Sequence, residues 1–137
     1  EMLLTPMKIH FFGKGLTSTI LDYVSKQLLT YNRSNYNYKD THIAYLACES
    51  MTSNDMLIAC SLSGNTHQVV RAAQIAKSRG AKVITITRNT ENELSKIGDI
   101  NLSICTEHSP TNVSDISSRV PMLFILNIIA TSYIKKK

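Results

Sequence analysis

Cysteine is too scarce and too scattered in this chain to staple a fold or hold a metal. Cys48, Cys60 and Cys105 are odd in number, and no CxxC occurs. That argues against a disulfide framework and a zinc site, and makes a reducing cytoplasm the expected setting. In that setting the Asn-x-Ser triplets at Asn32, Asn101 and Asn112 are chance matches to a glycosylation signal. A long apolar run is missing too. Val120 to Ala130 is interrupted by Pro121 and Asn127 and is too short to span a bilayer, and the start lacks the charged-then-apolar layout of a signal peptide. Neither secretion nor a membrane is expected. No stretch joins low hydrophobicity to high charge, and no repeat, low-complexity tract or linker divides the chain. With 137 residues, 43% hydrophobic and 18% charged, residues 1–137 are expected to form one folded domain.

Charge of one sign is only mildly in excess, at a net +5. Lys and Arg are spread along the chain, and the one tight run, Lys135 to Lys137, is the solvated end. This is a weak basis for nucleic-acid contact but suits an anionic small molecule. The first residue is Glu1 rather than methionine, as in a fragment of a longer chain or a processed one.

"KIHFFG" (8–13) and "DMLIACS" (55–61) are short apolar runs ending in small residues, the pattern of central strands buried on both faces. "AKVITITR" (81–88) is a β-branched third strand. "DINLSIC" (99–105) alternates apolar and polar residues, as an edge strand with one wetter face does. A short edge strand is expected around Tyr36 to Tyr38. Residues 66–79 place Val69, Ala72, Ala73 and Ala76 on one helical face, with Lys77 and Arg79 in the last turn and Gly80 beyond. Further helices are expected over 17–30 and 40–51. Alternating strands and helices with short links imply right-handed crossovers, and hence an α/β fold. Its parallel sheet of about five strands is covered by helices on both sides, in three layers. The final segment is apolar almost all round from Val120 to Ile129. A helix with that profile is either a core helix buried on several sides or one that packs on a second copy of the chain.

In an open parallel sheet, ligands sit beyond the carboxyl ends of the strands, where strand order reverses. Two loops have the composition for that place. In "GKGLTS" (13–18), Gly13 and Gly15 permit a tight turn and Thr17 and Ser18 open a helix. In "SLSGNT" (61–66), Gly64 frees the backbone and Thr66 begins the next helix, and no acid occurs from 61 to 68. Helix starts expose unpaired amides and a positive dipole end, and hydroxyls add donors without bulk, so a phosphate monoester fits both. Cations are not essential to such a cradle. Each loop alone reads equally well as ordinary turn and cap residues.

"SLSGNT" resembles the Ser-x-Ser-Gly-x-Thr motif of SIS (sugar isomerase) domains, which bind phosphosugars. "FFGKGLTS" is similar to their first Gly-x-Gly-x-Ser loop, with Thr17 in place of serine. The likeness continues through residues 72–104 and the "SSR" of Ser117 to Arg119. It covers nearly the whole chain from Lys8 to Ile134 and resembles most the ligand-sensing domain of RpiR-type transcriptional regulators. The resemblance implies a doubly wound sheet of flavodoxin-like order in which the first and third strands are neighbours. It also implies phosphate binding by Ser61, Ser63, Thr66 and the Gly64 backbone, with Thr17 and Ser18 assisting. Sugar contacts are expected at Gly15, Leu62, Asn65 and Glu107. Asn65 stands where relatives often carry Glu, which changes a charge at the pocket rim.

Aldose-ketose isomerisation needs a base that shuttles a proton between adjacent carbons. Glu107 is the candidate, with His67 or His108 assisting. His67 enters a helix, where a solvated role is the ordinary one, while His10 in a strand and His42 on a helix are not obvious bases. Sensor-type relatives also tend to carry a Glu at the place of Glu107. The expectation is therefore a phosphosugar-binding effector domain rather than an enzyme, without cofactor or metal and dimeric or higher through its C-terminal helix. DNA would be contacted only by a helix-turn-helix domain upstream of Glu1. A small phosphosugar isomerase is the alternative, and a nucleotide-binding domain, lacking an acidic ribose anchor, ranks last.

Overall fold

The computed structural model describes residues 7–105 and 119–136. Strands and helices alternate: β1 (Lys8–Phe12), α1 (Leu16–Thr30), β2 (Asn35–Tyr38), α2 (Thr41–Glu49), β3 (Asp55–Cys60), α3 (His67–Ser78), β4 (Lys82–Arg88), α4 (Glu93–Ile97), β5 (Ile100–Ile104) and α5 (Val120–Lys136). The strands form one sheet in the order β2-β1-β3-β4-β5, and all neighbours are parallel. This is the doubly wound, flavodoxin-like order expected. The chain leaves β1 toward β2 on one side and returns to β3 on the other, so the loops after β1 and β3 diverge and open a crevice between them.

All six residues of β3 are buried, because both faces of the sheet are covered. Ile9, Phe11, Met56, Ile58 and Cys60 meet Leu21, Val24 and Leu28 of α1 and Met122, Leu126 and Ala130 of α5. The opposite face, with Phe12, Leu57, Ala59 and Val83, meets Ala44 and Cys48 of α2, the alanine stripe of α3 and Leu94 of α4. The small Ala72, Ala73 and Ala76 let α3 lie close to the sheet.

Several boundaries and one element differ from the sequence expectation. Helix α1 begins at Leu16, with Gly15 as its N-cap, so Thr17 is turned into the protein and buried rather than opening the helix. Helix α4 was not anticipated. Its five residues are too few for a periodic pattern, and it is set by the Asn92 side chain, which accepts from the Ser95 amide at 2.8 Å. Helix α5 is not buried on several sides. Met122, Leu126 and Ala130 are buried, whereas Val120, Phe124 and Ile128 are 66%, 65% and 47% exposed. The reading of a core helix thus holds for one face, and the apolar stripe at i, i+4 and i+8 faces outward.

Candidate functional site

Helices α1 to α4 each start at the carboxyl edge of the sheet. α2 is capped by Asp40, whose carboxylate accepts from the Ile43 amide at 2.9 Å, and α4 by Asn92. α1 and α3, the two that flank the switch point, have no side-chain cap bond and no acidic residue in their first turns. Their orphan amides and positive dipole ends are left facing the crevice.

The loop after β3 fills the space between these helix starts with hydroxyls. Ser61 Oγ lies 2.8 Å from Thr66 Oγ1 and 3.5 Å from Ser63 Oγ. It also accepts from the Gly64 amide at 3.1 Å, and Ser63 Oγ accepts from the Asn65 amide at 3.1 Å. These contacts hold the hydroxyls in one cluster before any ligand arrives. Gly64 makes the turn possible. Its φ is +73°, and an added Cβ would come within 2.0 Å of the buried Asn92 side chain. Across the crevice the approach is also close at Gly13, where a Cβ would meet Thr17 Cγ2 at 2.7 Å and the Cys60 carbonyl at 3.2 Å.

The resulting cavity, of about 230 Å³, is lined by Thr17, Cys60, Ser61, Leu62, Ser63 and Thr66 together with Lys14, Arg88 and Arg119. Loops separated by more than forty residues are thereby brought together. Gly64 shapes the wall without lining it. Gly15 and Ser18 sit at the start of α1 outside the lining, the Ser18 amide donating to the Gly15 carbonyl at 3.0 Å. Asn65 turns away, its Oδ1 accepting from the Glu93 amide at 3.1 Å to help start α4. His67 is exposed on α3 and outside the lining. Glu107 and His108 lie outside the described residues.

The three cations were not singled out by sequence reasoning. Each comes from a different element: Lys14 from the β1–α1 loop, Arg88 from the end of β4 and Arg119 from just ahead of α5. Only the positions of Lys14 inside "GKGLTS" and Arg119 inside "SSR" hinted at them. Arg88 is tied to the cradle through its backbone, its amide donating to the Leu62 carbonyl at 2.9 Å. Burial pushes the thiol of Cys60 well above its ordinary range, so it stays protonated and is a poor nucleophile. Among the described residues, no carboxylate or imidazole lines the cavity, and no group of three His, Cys, Asp or Glu is placed to hold a metal.

A second polar cluster, also unforeseen, spans three strands, joining His10 in the middle of β1 to Tyr38 at the end of β2 and Asp55 at the start of β3. His10 Nδ1 is 2.7 Å from Tyr38 Oη, and His10 Nε2 is 2.7 Å from Asp55 Oδ1. Asp55 Oδ2 also accepts from the Thr52 amide at 2.9 Å. Burial lowers the pKa of His10 against the opposing pull of Asp55. Burial alone would raise that of Asp55, but the bonds from His10 and Thr52 outweigh it and the net shift is downward. Tyr38 is pushed up to about 12 by burial. The consistent arrangement has Tyr38 O–H donating to neutral Nδ1 and Nε2–H donating to an ionised Asp55. Both ring nitrogens of His10 and both carboxylate oxygens of Asp55 are engaged, so this cluster fastens β1, β2 and β3.

Among the described residues, no helix is long and apolar enough to cross a membrane. The family model of the SIS domain matches residues 2–132. An uncharacterised HTH-type transcriptional regulator of Caldanaerobacter subterraneus is 29% identical over 140 residues, covering 100% of this chain and 49% of its own. The HTH-type transcriptional regulator RpiR of Escherichia coli K12 is 26% identical over 116 residues, covering 85% of this chain and 39% of its own. The chain thus spans about half or less of the length of these curated relatives. Among solved structures, the NanR protein of Vibrio vulnificus complexed with ManNAc-6P superposes with a TM-score of 0.88 at 23% identity, covering 98% of this chain and 52% of that one. The paired loops at the switch point, the strand order and the match over residues 2–132 lead to one assignment: the chain belongs to the SIS domain family.

Proposed function

We propose that this chain is the phosphosugar-sensing domain of an RpiR-type transcriptional regulator. The observation that carries the reading is the pairing of two uncapped helix starts around the hydroxyl cluster of Ser61, Ser63 and Thr66. Such a place accepts a phosphate monoester through amides, dipoles and hydroxyls together. Thr17 lines the same cavity and Leu62 closes it. Ser18, Gly15 and Asn65 belong to the surrounding shell in this reading, and Glu107, outside the described residues, is kept as a proposed sugar contact. The regulator role draws support from the HTH-type relatives, and the phosphosugar from the ManNAc-6P held by the structural neighbour. A DNA-binding domain would lie outside this chain, and no cofactor is needed.

Ligand acts in such a domain by binding two arrangements of an assembly with different affinity, since equal affinity shifts nothing. The outward stripe of Val120, Phe124 and Ile128 on α5 is the surface on which a second copy packs. Phe124→Asp leaves the fold intact, because Phe124 is exposed, and yields monomers in sedimentation. A variant of unchanged size would overturn the dimer.

Inorganic phosphate and sugar phosphates raise the thermal midpoint of the protein, and Ser63→Ala weakens their binding by about 1.5–3 kcal/mol, the worth of a hydrogen bond to a charged group. Unchanged affinity would place the phosphate elsewhere. The isomerase alternative rests on Glu107. Incubation with fructose 6-phosphate in deuterated solvent gives no exchange at the carbon next to the carbonyl if the domain only senses, and exchange abolished by Glu107→Gln would establish an enzyme.

A further inference from the structure

Lys14 and Arg88 flank the hydroxyl cradle. In the sheet, β3, whose loop carries Ser61, Ser63 and Thr66, lies between β1 and β4; Lys14 follows β1 and Arg88 ends β4. Both line the cavity, and among the described residues no carboxylate does. Neither forms an ion pair with a described carboxylate. The Lys14 ammonium makes one exposed contact, with the Lys39 carbonyl at 3.5 Å, at the long limit of a hydrogen bond. Arg88 is placed by its backbone, whose amide donates to the Leu62 carbonyl of the cradle loop at 2.9 Å. Its Nε is buried without a hydrogen-bond partner among the described residues. A buried donor left unmade is costly, and an oxyanion in the cavity would supply the missing acceptor.

On the phosphate-binding reading, we propose that Lys14 and Arg88 make the cradle selective for charge: it takes a phosphate monoester as its dianion in preference to a monoanionic group of the same shape, a sulfate monoester. The division of labour follows from chemistry. Ser61, Ser63, Thr66 and the helix amides are neutral donors arranged for tetrahedral oxygens, which phosphate and sulfate esters share. A fixed cation responds to net charge instead, and its attraction for the ligand doubles when one negative charge becomes two. Two cations on either side of the cradle match a dianion, whereas a sulfate ester leaves one of them uncompensated in a partly desolvated place. Arg88, with its buried Nε and its backbone bonded to the cradle loop, contributes most of the discrimination. Lys14, whose ammonium contact is exposed, is screened more by solvent and contributes less. Arg119 lines the cavity too but has an interaction of its own, and any charge it leaves over acts in the same direction.

Methyl phosphate and methyl sulfate test this without a choice of sugar. They share a shape, and at about pH 7.5 they carry about two negative charges and one. Each is titrated into the isotope-labelled protein while NMR follows the amides of Gly64 and Asn65, which donate to Ser61 Oγ and Ser63 Oγ. The expected result is that methyl phosphate binds about tenfold or more tighter than methyl sulfate. In the Lys14→Gln, Arg88→Gln double variant that preference falls to about threefold or less. Lys14→Gln alone, which alters only an exposed contact, lowers it about twofold or more, and this variant decides the matter if the double variant does not fold. Equal affinity for the two esters in the wild-type protein overturns the proposal and leaves the phosphate reading of the cradle standing. A preference undiminished in the variants also overturns it, since the neutral donors would then account for the selectivity. If neither ester moves the two amides at tens of millimolar, the phosphate reading itself fails and the proposal with it, an outcome told apart from the others by the absence of any binding.

Discussion

Helices α1 to α4 begin at the same edge of the sheet, and they begin in two ways. α2 and α4, toward the sheet's margins, close their first turns with Asp40 and Asn92, whereas α1 and α3, at the switch point, close theirs with nothing from a side chain. A side-chain cap contributes about 1 kcal/mol, and an acid in the first turn several tenths more. The chain therefore forgoes stabilisation at the two helix starts that share a cavity, while taking it at the two that do not. A stability requirement alone would treat all four alike. What distinguishes the central pair is that a bound anion would do the capping.

The strongest way to break that difference is to cap α3 permanently. Thr66 is its N-cap residue, in extended conformation and without a cap bond of its own. Thr66→Asp places an acceptor and a negative charge there. The free protein becomes more stable by roughly 0.5–1 kcal/mol, read as a higher urea midpoint. Phosphate binding falls by at least about 3 kcal/mol, because two like charges a few ångströms apart in a site of reduced dielectric repel by that order. A variant that loses stability, or one that retains affinity, removes the basis for assigning an anion to this helix start.

Removing the caps of the other pair has the reverse signature. Asn92 is buried, caps α4 through the Ser95 amide, and donates to the Thr90 carbonyl at 2.7 Å. It also packs against Gly64, and the Leu94 amide reaches the Gly64 carbonyl at 2.9 Å. Asn92→Ala costs about 2 kcal/mol of stability, more than an exposed cap, since it leaves a hole and an unpaired carbonyl. Asp40→Ala, at an exposed helix start, costs about 1 kcal/mol. Phosphate affinity drops modestly in the first, through the loosened Gly64 turn, and stays unchanged in the second, both measured by titration calorimetry on folded protein.

The parts of this arrangement that read directly from sequence are those whose signal is contiguous. β1, β3 and β4 announce themselves as apolar runs because both faces are covered, and α3 by an alanine stripe with a basic last turn and Gly80. The hydroxyl cradle is legible for the same reason: Ser61, Ser63 and Thr66 sit within six residues. What escaped was assembled at a distance. The Asn65 side chain meets the Glu93 amide and His10 meets Asp55 only after the strands align, and Lys14, Arg88 and Arg119 converge from three elements. α4 was too short to show a period. For α5 the sequence showed an apolar surface but not which part of it this chain covers.

The smallest expected effect concerns pH, and it separates the buried His10 cluster from the cavity. Because burial lowers the pKa of His10, the unfolded chain takes up a proton before the folded one as pH falls below the ordinary histidine value of 6.5. The His10 contribution is therefore complete above that value and declines on acidification. Asp55, whose pKa is lowered in the fold, adds a further loss only as pH passes below 3.8. The first loss is gentle, since the Tyr38 hydroxyl can rotate to accept from a protonated Nδ1. His10→Gln flattens the dependence of the urea midpoint between about pH 5 and 7. At the carboxyl end no carboxylate or imidazole lines the cavity among the described residues, and its thiol is held protonated by burial, so the pH dependence of phosphate affinity follows the ligand's own second ionisation near about 6. That profile is the same in wild type and in His10→Gln. A shift of the binding profile in the variant would mean that the buried His10 cluster is coupled to the cavity and tunes it.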